Sequence, residues 1–152
     1  MERTLVIIKP GAVRRGLVGK VIERFEDKGL KIVAMKMKHL DDRILSEHYA
    51  HLKDKPFFGR LVKAMEESPV ILMVIEGKDA VDVVRKMAGP TNGREAMPGT
   101  IRGDFSMSIQ NNVIHASDSK ENAEKEIRRF FDDSEIYEYK KLEELVYASD
   151  EI

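Results

Sequence analysis

Residues 4 to 11 read TLVIIKPG. Four apolar residues, Leu5 to Ile8, run without a polar break and stop at Lys9-Pro10-Gly11. A strand with one wet face alternates apolar and polar residues, whereas an unbroken run is covered on both faces and sits centrally in a sheet. A second run, VILMVIEG at 70–77, makes the same demand. Each is followed by helical spacing. In GLVGKVIERFEDKG (16–29), Val18, Val21, Ile22 and Phe25 share a face and Gly29 marks the end. DAVDVVRKMAG (79–89) is a helix ended by Gly89. LKIVAMKMKHL (30–40) alternates apolar and basic residues, as a half-exposed strand does. Two strand–helix–strand halves predict an α/β (α+β) sandwich: a ferredoxin-like βαββαβ fold with a four-stranded antiparallel sheet.

Other segments elaborate this frame. DRILSEHYAHL (42–52) and PFFGRLVKAMEE (56–67) read as an added pair of helices around KDKP. Residues 89–104, GPTNGREAMPGTIRGD, follow neither period and mix four glycines, two prolines and two arginines. Loops this long within a domain are usually functional or disordered, and an ordered functional loop is expected. SIQNNVIHAS (108–117) is expected as the last strand. DSKENAEKEIRRFF is expected as a helix with Asp118 as N-cap and Glu121 reaching back.

The chain has 152 residues, 42% apolar and 35% charged, which fits one globular domain over 1–152. Its net charge of −1 gives no general field for nucleic acid or an anionic membrane, so any anion site is a local cluster of Lys and Arg. There is no cysteine, which excludes disulfides and thiolate chemistry and fits a cytoplasmic location. No apolar stretch reaches the roughly 18 residues of a membrane span, and no membrane partner is expected.

No phosphate-loop or metal-binding pattern is complete in the chain. GAVRRGLVGK has the glycine gap of a phosphate loop but not the Lys-Ser/Thr that must follow. His48 and His51 lie three apart without an evident third ligand and read as solvated surface. What remains is scattered. Lys9 ends the first strand, Arg85 borders the apolar face of its helix, Arg102 lies in the long loop, and His115 ends the last strand. Each of these cations also has an ordinary reading as surface charge or a structural ion pair. In NVIHASDS (112–119), His115 precedes the small residues Ala116 and Ser117. Glu126 faces the start of the following helix, seven residues from Ser119 and four from Asn122. His115 is then either a half-buried strand residue beside a surface carboxylate, or a nucleophile with one ring nitrogen fixed by Glu126 and the other free.

NVIHASDS resembles the active-site signature N-x-x-H-G/A-S-D of nucleoside diphosphate kinases. IKPGAVRRGLVG, HYAHLKDKPFFGRLV, GPTNGREAMPGTIRGDF and NAEKEI resemble the family's first strand and turn, helical pair, long loop and last helix, with the spacings kept from about Thr4 to Tyr139. The resemblance implies a ping-pong phosphotransferase. His115 takes the terminal phosphate of a nucleoside triphosphate, typically ATP, as phosphohistidine, and a nucleoside diphosphate collects it. It implies that Lys9, Arg85 and Arg102 supply positive charge, and that Tyr49 and Thr91 give hydroxyl hydrogen bonds to phosphate. Asn112 and Lys9 hold the sugar hydroxyl. Phe57 stacks on the base between Leu61 and Ile109. Glu126 orients His115, and Ser117 bonds to that carboxylate. Mg²⁺ is implied on the substrate phosphates, with no protein ligands of its own.

Two positions depart from the family pattern. Gly11 stands where Asp is usual after Lys-Pro, and His51 where many relatives carry Asp. The tail KKLEELVYASDEI matches poorly. A homo-oligomer is implied, a hexamer rather than a tetramer, with the MPGT region packed between subunits. Two other classes stay open on the residues alone: a ferredoxin-like nucleic-acid-binding module, and a catalytically inactive oligomeric scaffold. Few aromatics and near-neutral charge speak against the first, and the occupied site positions against the second.

Overall fold

A computed structural model describes residues 1–152. In chain order the elements are β1 (Glu2–Ile8), α1 (Pro10–Arg14), α2 (Val18–Lys28), β2 (Lys31–Lys38), α3 (Asp42–His48) and α4 (Phe58–Glu66). They continue as β3 (Val70–Gly77), α5 (Ala80–Ala88), α6 (Ile101–Phe105), β4 (Ile114–Ala116) and α7 (Lys120–Phe130). The sheet order is β2-β3-β1-β4, with every neighbouring pair antiparallel. This is the ferredoxin-like arrangement that the two apolar runs predict, with β1 and β3 central.

The unbroken runs divide their side chains between two cores. Val6, Ile8, Met73 and Ile75 pack with Val21 and Phe25 of α2 and Val84 of α5. Leu5, Ile7, Leu72 and Val74 pack on the other face with Leu45, Val62, Met65 and Ile127 from α3, α4 and α7. Both faces are therefore roofed by helices. No helix of the chain is long and apolar enough to cross a membrane.

Three expectations need correction. The last strand shrinks from 108–117 to Ile114–Ala116, because residues 106–111 fold onto the Ser106 and Ser108 hydroxyls. Ser106 Oγ donates to the Asn111 carbonyl at 3.1 Å, and the Asn111 amide donates to Ser108 Oγ at 3.0 Å. The N-cap of α7 is Ser119, whose hydroxyl accepts from the Asn122 amide at 3.1 Å, while Glu121 pairs with Lys125. The first of the paired helices ends at His48, and Ala50–Leu52 tighten into a 3₁₀ turn.

The long loop is ordered and carries two short helical turns, Gly93–Glu95 and α6. Thr100 caps α6 by accepting from the Gly103 amide at 2.9 Å and donating to the Met97 carbonyl at 2.6 Å. A Cβ on Gly103 would lie 1.9 Å from that same carbonyl oxygen. Gly11, by contrast, has no neighbouring atom within 4 Å of its Cβ position.

Thermal or denaturant unfolding should separate these two glycines. Gly103→Ala is expected to destabilise by about 1–3 kcal/mol through overpacking against the Met97–Thr100 turn. Gly11→Ala, in open space on α1, is expected to be neutral or stabilising by up to about 1 kcal/mol.

Candidate active site

β4 places His115 opposite Ile7 of β1, so its ring lies on the face covered by α3, α4 and α7. Glu126 reaches it from α7. His115 Nε2 lies 3.0 and 3.1 Å from the two Glu126 oxygens. Ser117 Oγ donates to Glu126 Oε1 at 2.5 Å. A carboxylate can only accept, so in the neutral ring the Nε2 proton points at Glu126 and Nδ1 keeps its lone pair. Burial opposes ionisation of Glu126. The hydrogen bond and charge of His115 and the Ser117 hydroxyl outweigh it and hold the carboxyl at about 2.

The approach to the histidine is bent. Val113 has φ +75°, and the Ile114 amide donates to the Asn112 carbonyl at 2.9 Å, which closes a γ-turn. A β-branched residue there stores on the order of 1–3 kcal/mol of strain. The Lys9 amide donates to the Val113 carbonyl at 2.9 Å, tying the turn to the end of β1. Asn112 Nδ2 donates to the Ile109 and Thr91 carbonyls at 2.8 and 3.3 Å. Its Oδ1 is buried with no partner.

A cavity of about 710 Å³ opens over this turn. Lys9, Tyr49, Arg85, Thr91, Arg102, Asn112, His115 and Glu126 line its polar part, and Phe57, Leu61 and Ile109 its apolar mouth. Every predicted site residue except Ser117 borders it, and Ser117 is fully buried on Glu126. Phe57 and Ile109 are 38% and 55% exposed, so the apolar lips present free surface.

The cations differ in how they are held. Burial, with Arg102 nearby, lowers the Lys9 ammonium to about 7. Arg102 is buried, and its guanidinium donates to the carbonyls of Asn112, Gly89 and Ile114 at 3.1, 2.8 and 2.7 Å. It therefore pins the γ-turn and the loop as well as lending charge. Burial, then Arg85, brings it down to about 10. Arg85 is exposed, with one long contact of 3.4 Å to the Ala116 carbonyl. Burial and then Glu126 push the Tyr49 hydroxyl well above its ordinary range, so it stays protonated as a donor.

The structure corrects His48 and adds Arg129. His48 is not solvated surface: it is 4% exposed, with its ring edge-on to His115 at 4.7 Å between centroids. His51 does remain exposed. Arg129 follows Glu126 by three residues on α7, and this helical spacing was the signal available for it. His48, His115 and Glu126 bring three ligand atoms within 4.8 Å of one another. Those atoms are already engaged, since Arg129 donates to His48 Nδ1 at 2.9 Å and His115 bonds Glu126. A hard cation such as Mg²⁺ also prefers oxygen ligands, so the trio is not suited to it.

The nucleoside diphosphate kinase family model matches residues 2–136. The chain is 60% identical to the nucleoside diphosphate kinase of Parabacteroides distasonis over 99% of both chains. It is 56% identical to that of Pyrococcus furiosus over 97% of this chain and 93% of the other. Among solved structures, a halophilic nucleoside diphosphate kinase from Halobacterium salinarum in complex with CDP superposes with TM-score 0.94 at 44% identity, covering 96% and 98% of the two chains. The enzyme from Encephalitozoon cuniculi gives 0.93 at 44% identity, covering 97% and 100%. Sequence likeness along almost the whole chain and a shared backbone agree: the chain belongs to the nucleoside diphosphate kinase family and is a phosphotransferase acting between nucleotides.

Proposed function

We propose that the enzyme carries the transferred phosphate on His115, in a ping-pong cycle from a nucleoside triphosphate, typically ATP, to a nucleoside diphosphate. The observation that carries this reading is the grip of both Glu126 oxygens on Nε2, which in the neutral ring leaves the Nδ1 lone pair free on a residue lining the cavity. Nδ1 attacks the terminal phosphorus. An N–P bond forms as the bond to the bridging oxygen breaks, and the electron pair leaves with the nucleoside diphosphate. The second diphosphate reverses these steps. The ring gains positive charge as it attacks, and Glu126, ionised far below neutrality, stabilises it.

Phosphoryl transfer asks the protein mainly for position and charge. Lys9, Arg85 and Arg102 supply the charge, and the Tyr49 and Thr91 hydroxyls supply neutral donors. The orphaned Asn112 Oδ1 suits a sugar hydroxyl, with Lys9 beside it. Phe57 offers a face to the base, with Leu61 and Ile109 as walls. Stacking tolerates every base, which suits broad nucleotide use. The CDP in the Halobacterium structure supports a nucleoside diphosphate as occupant. The donor set fits Mg²⁺ arriving on the phosphates, with no protein ligand assigned. Bound there, the ion neutralises phosphate charge.

We also propose one catalytic domain over the whole chain, a cytoplasmic site of action beside the nucleotide pools, and a hexamer. The tail covers only the start of the free edge of β2, where the Tyr137 amide donates to Val33 at 2.8 Å and Lys141 Nζ to Leu30 at 2.7 Å. Beyond it, Met35 and Met37 are 54% and 61% exposed, and Met97 of the MPGT stretch is 72% exposed. These surfaces support self-association. A nucleic-acid-binding module is not favoured, since helices roof both sheet faces. Nor is an inactive scaffold, given kinase relatives along the whole chain.

Incubation with γ-labelled ATP should give an acid-labile, alkali-stable phosphoprotein that any nucleoside diphosphate discharges, and His115→Ala should abolish it. Transfer by that variant at the parent rate would overturn the mechanism. A phosphate anion raises the Lys9 pKa from its free value of about 7, so binding takes up a proton above that pH. Affinity for ATP should fall as pH rises past this point, by up to about tenfold per unit. Calorimetry at about pH 8 in buffers of different ionisation enthalpy should detect the uptake, and Lys9→Met should remove it. Native mass spectrometry should return a hexamer, and a monomer would refute the role given to the β2 edge.

A further inference from the structure

Arg129 has no part in the chemistry above, yet it lines the cavity and contacts a ring packed edge-on to His115. Its Nη1 donates to His48 Nδ1 at 2.9 Å. Its Nε lies 3.4 Å from Glu47 Oε1 without hydrogen-bond geometry. Both contacts come from the last turn of α3. A guanidinium can only donate, so His48 Nδ1 must accept, and the His48 proton sits on Nε2. His48 Nδ1 is also 3.7 Å from Glu126 Oε2. With Nδ1 unprotonated these two atoms are both acceptors, and no hydrogen bond joins them. Glu126 is then left entirely to His115 and Ser117.

We propose that Arg129 and His48 are positioning residues for the phosphoryl-accepting histidine, Arg129 fixing the His48 tautomer so that His48 cannot compete for Glu126. The inference rests on the reading of His115 as phosphate carrier. Without Arg129, the buried Nδ1 lone pair would face a carboxylate with no donor. A buried acceptor left unsatisfied is costly. Moving the proton from Nε2 to Nδ1 removes that cost by donating to Glu126 Oε2. The carboxylate is then shared, and its hold on His115 Nε2 weakens. The groups facing His48 are His115 from β4, Glu126 and Arg129 from α7, and His51 from the following turn. Burial, and then the repulsion that a second proton would meet from neighbouring His115, hold His48 at about 3, so the contest is between neutral tautomers.

Arg129→Met tests this, read by ¹⁵N NMR of the His48 ring and by single-turnover phosphorylation of His115 from ATP. Wild type should show the Nε2–H form. The variant should shift to Nδ1–H and phosphorylate on the order of tenfold more slowly, with KM for ATP little changed. Adding His48→Phe keeps a flat ring without a donor, so the double variant should recover most of the lost rate. A variant matching wild type in tautomer and rate would overturn the proposal. So would a double variant slower than Arg129→Met alone, which marks a packing role only. If wild type takes no phosphate on His115, the phosphohistidine reading itself fails, an outcome the wild-type arm reports separately.

Discussion

The double-sided burial of β1 is the constraint on which the rest of this structure depends. Leu5 and Ile7 enter one core and Val6 and Ile8 the other, all with no exposure. Burying four such side chains stabilises by roughly 1.5–3 kcal/mol each, and helices on both faces are the only way to collect that gain. β1 is therefore fixed in the middle of the sheet, and β4 must pair along it. The pairing of Ile7 with His115 turns the histidine toward α7. The end of the same strand delivers Lys9 to the cavity floor.

The site then works by contrast between rigid and free groups. Arg102 spends its donors on three carbonyls and holds the strained turn at Val113. Arg85 is exposed and tied only by one long contact to the Ala116 carbonyl. Lys9 is half-buried, and burial with Arg102 nearby lowers its ammonium to about 7, so an anion beside it would favour its charged form. Buried positive groups without counter-ions are costly, and a bound phosphate relieves that cost.

Two layers support His115, the proposed nucleophile. Glu126 and Ser117 fix the ring, and Arg129 and His48 settle what Glu126 is free to accept. Glu126 and Arg129 share one face of α7, so one helix sets both layers, and Ile127, Phe130 and Phe131 dock it on the core. Catalytic geometry and core packing are thus carried by the same helix.

The sequence by itself determined the sheet, the two central strands and the helices that cover them, because unbroken apolar runs and helical spacing are local patterns with one stable outcome. Motif likeness also made Lys9, Asn112, His115 and Glu126 legible as a set. What local pattern could not say was how far chain segments approach one another. His48 reads as surface beside His51, and only the packing of α3 on α7 buries it against His115. The last strand looked more than three times its length, until side-chain hydroxyls from Ser106 and Ser108 drew the preceding residues into turns. The contact of Arg129 with His48 and the positive φ of Val113 belong to the tertiary structure alone. An ion's partner and a backbone strain are set by contacts between residues distant in the chain, and no spacing rule records them.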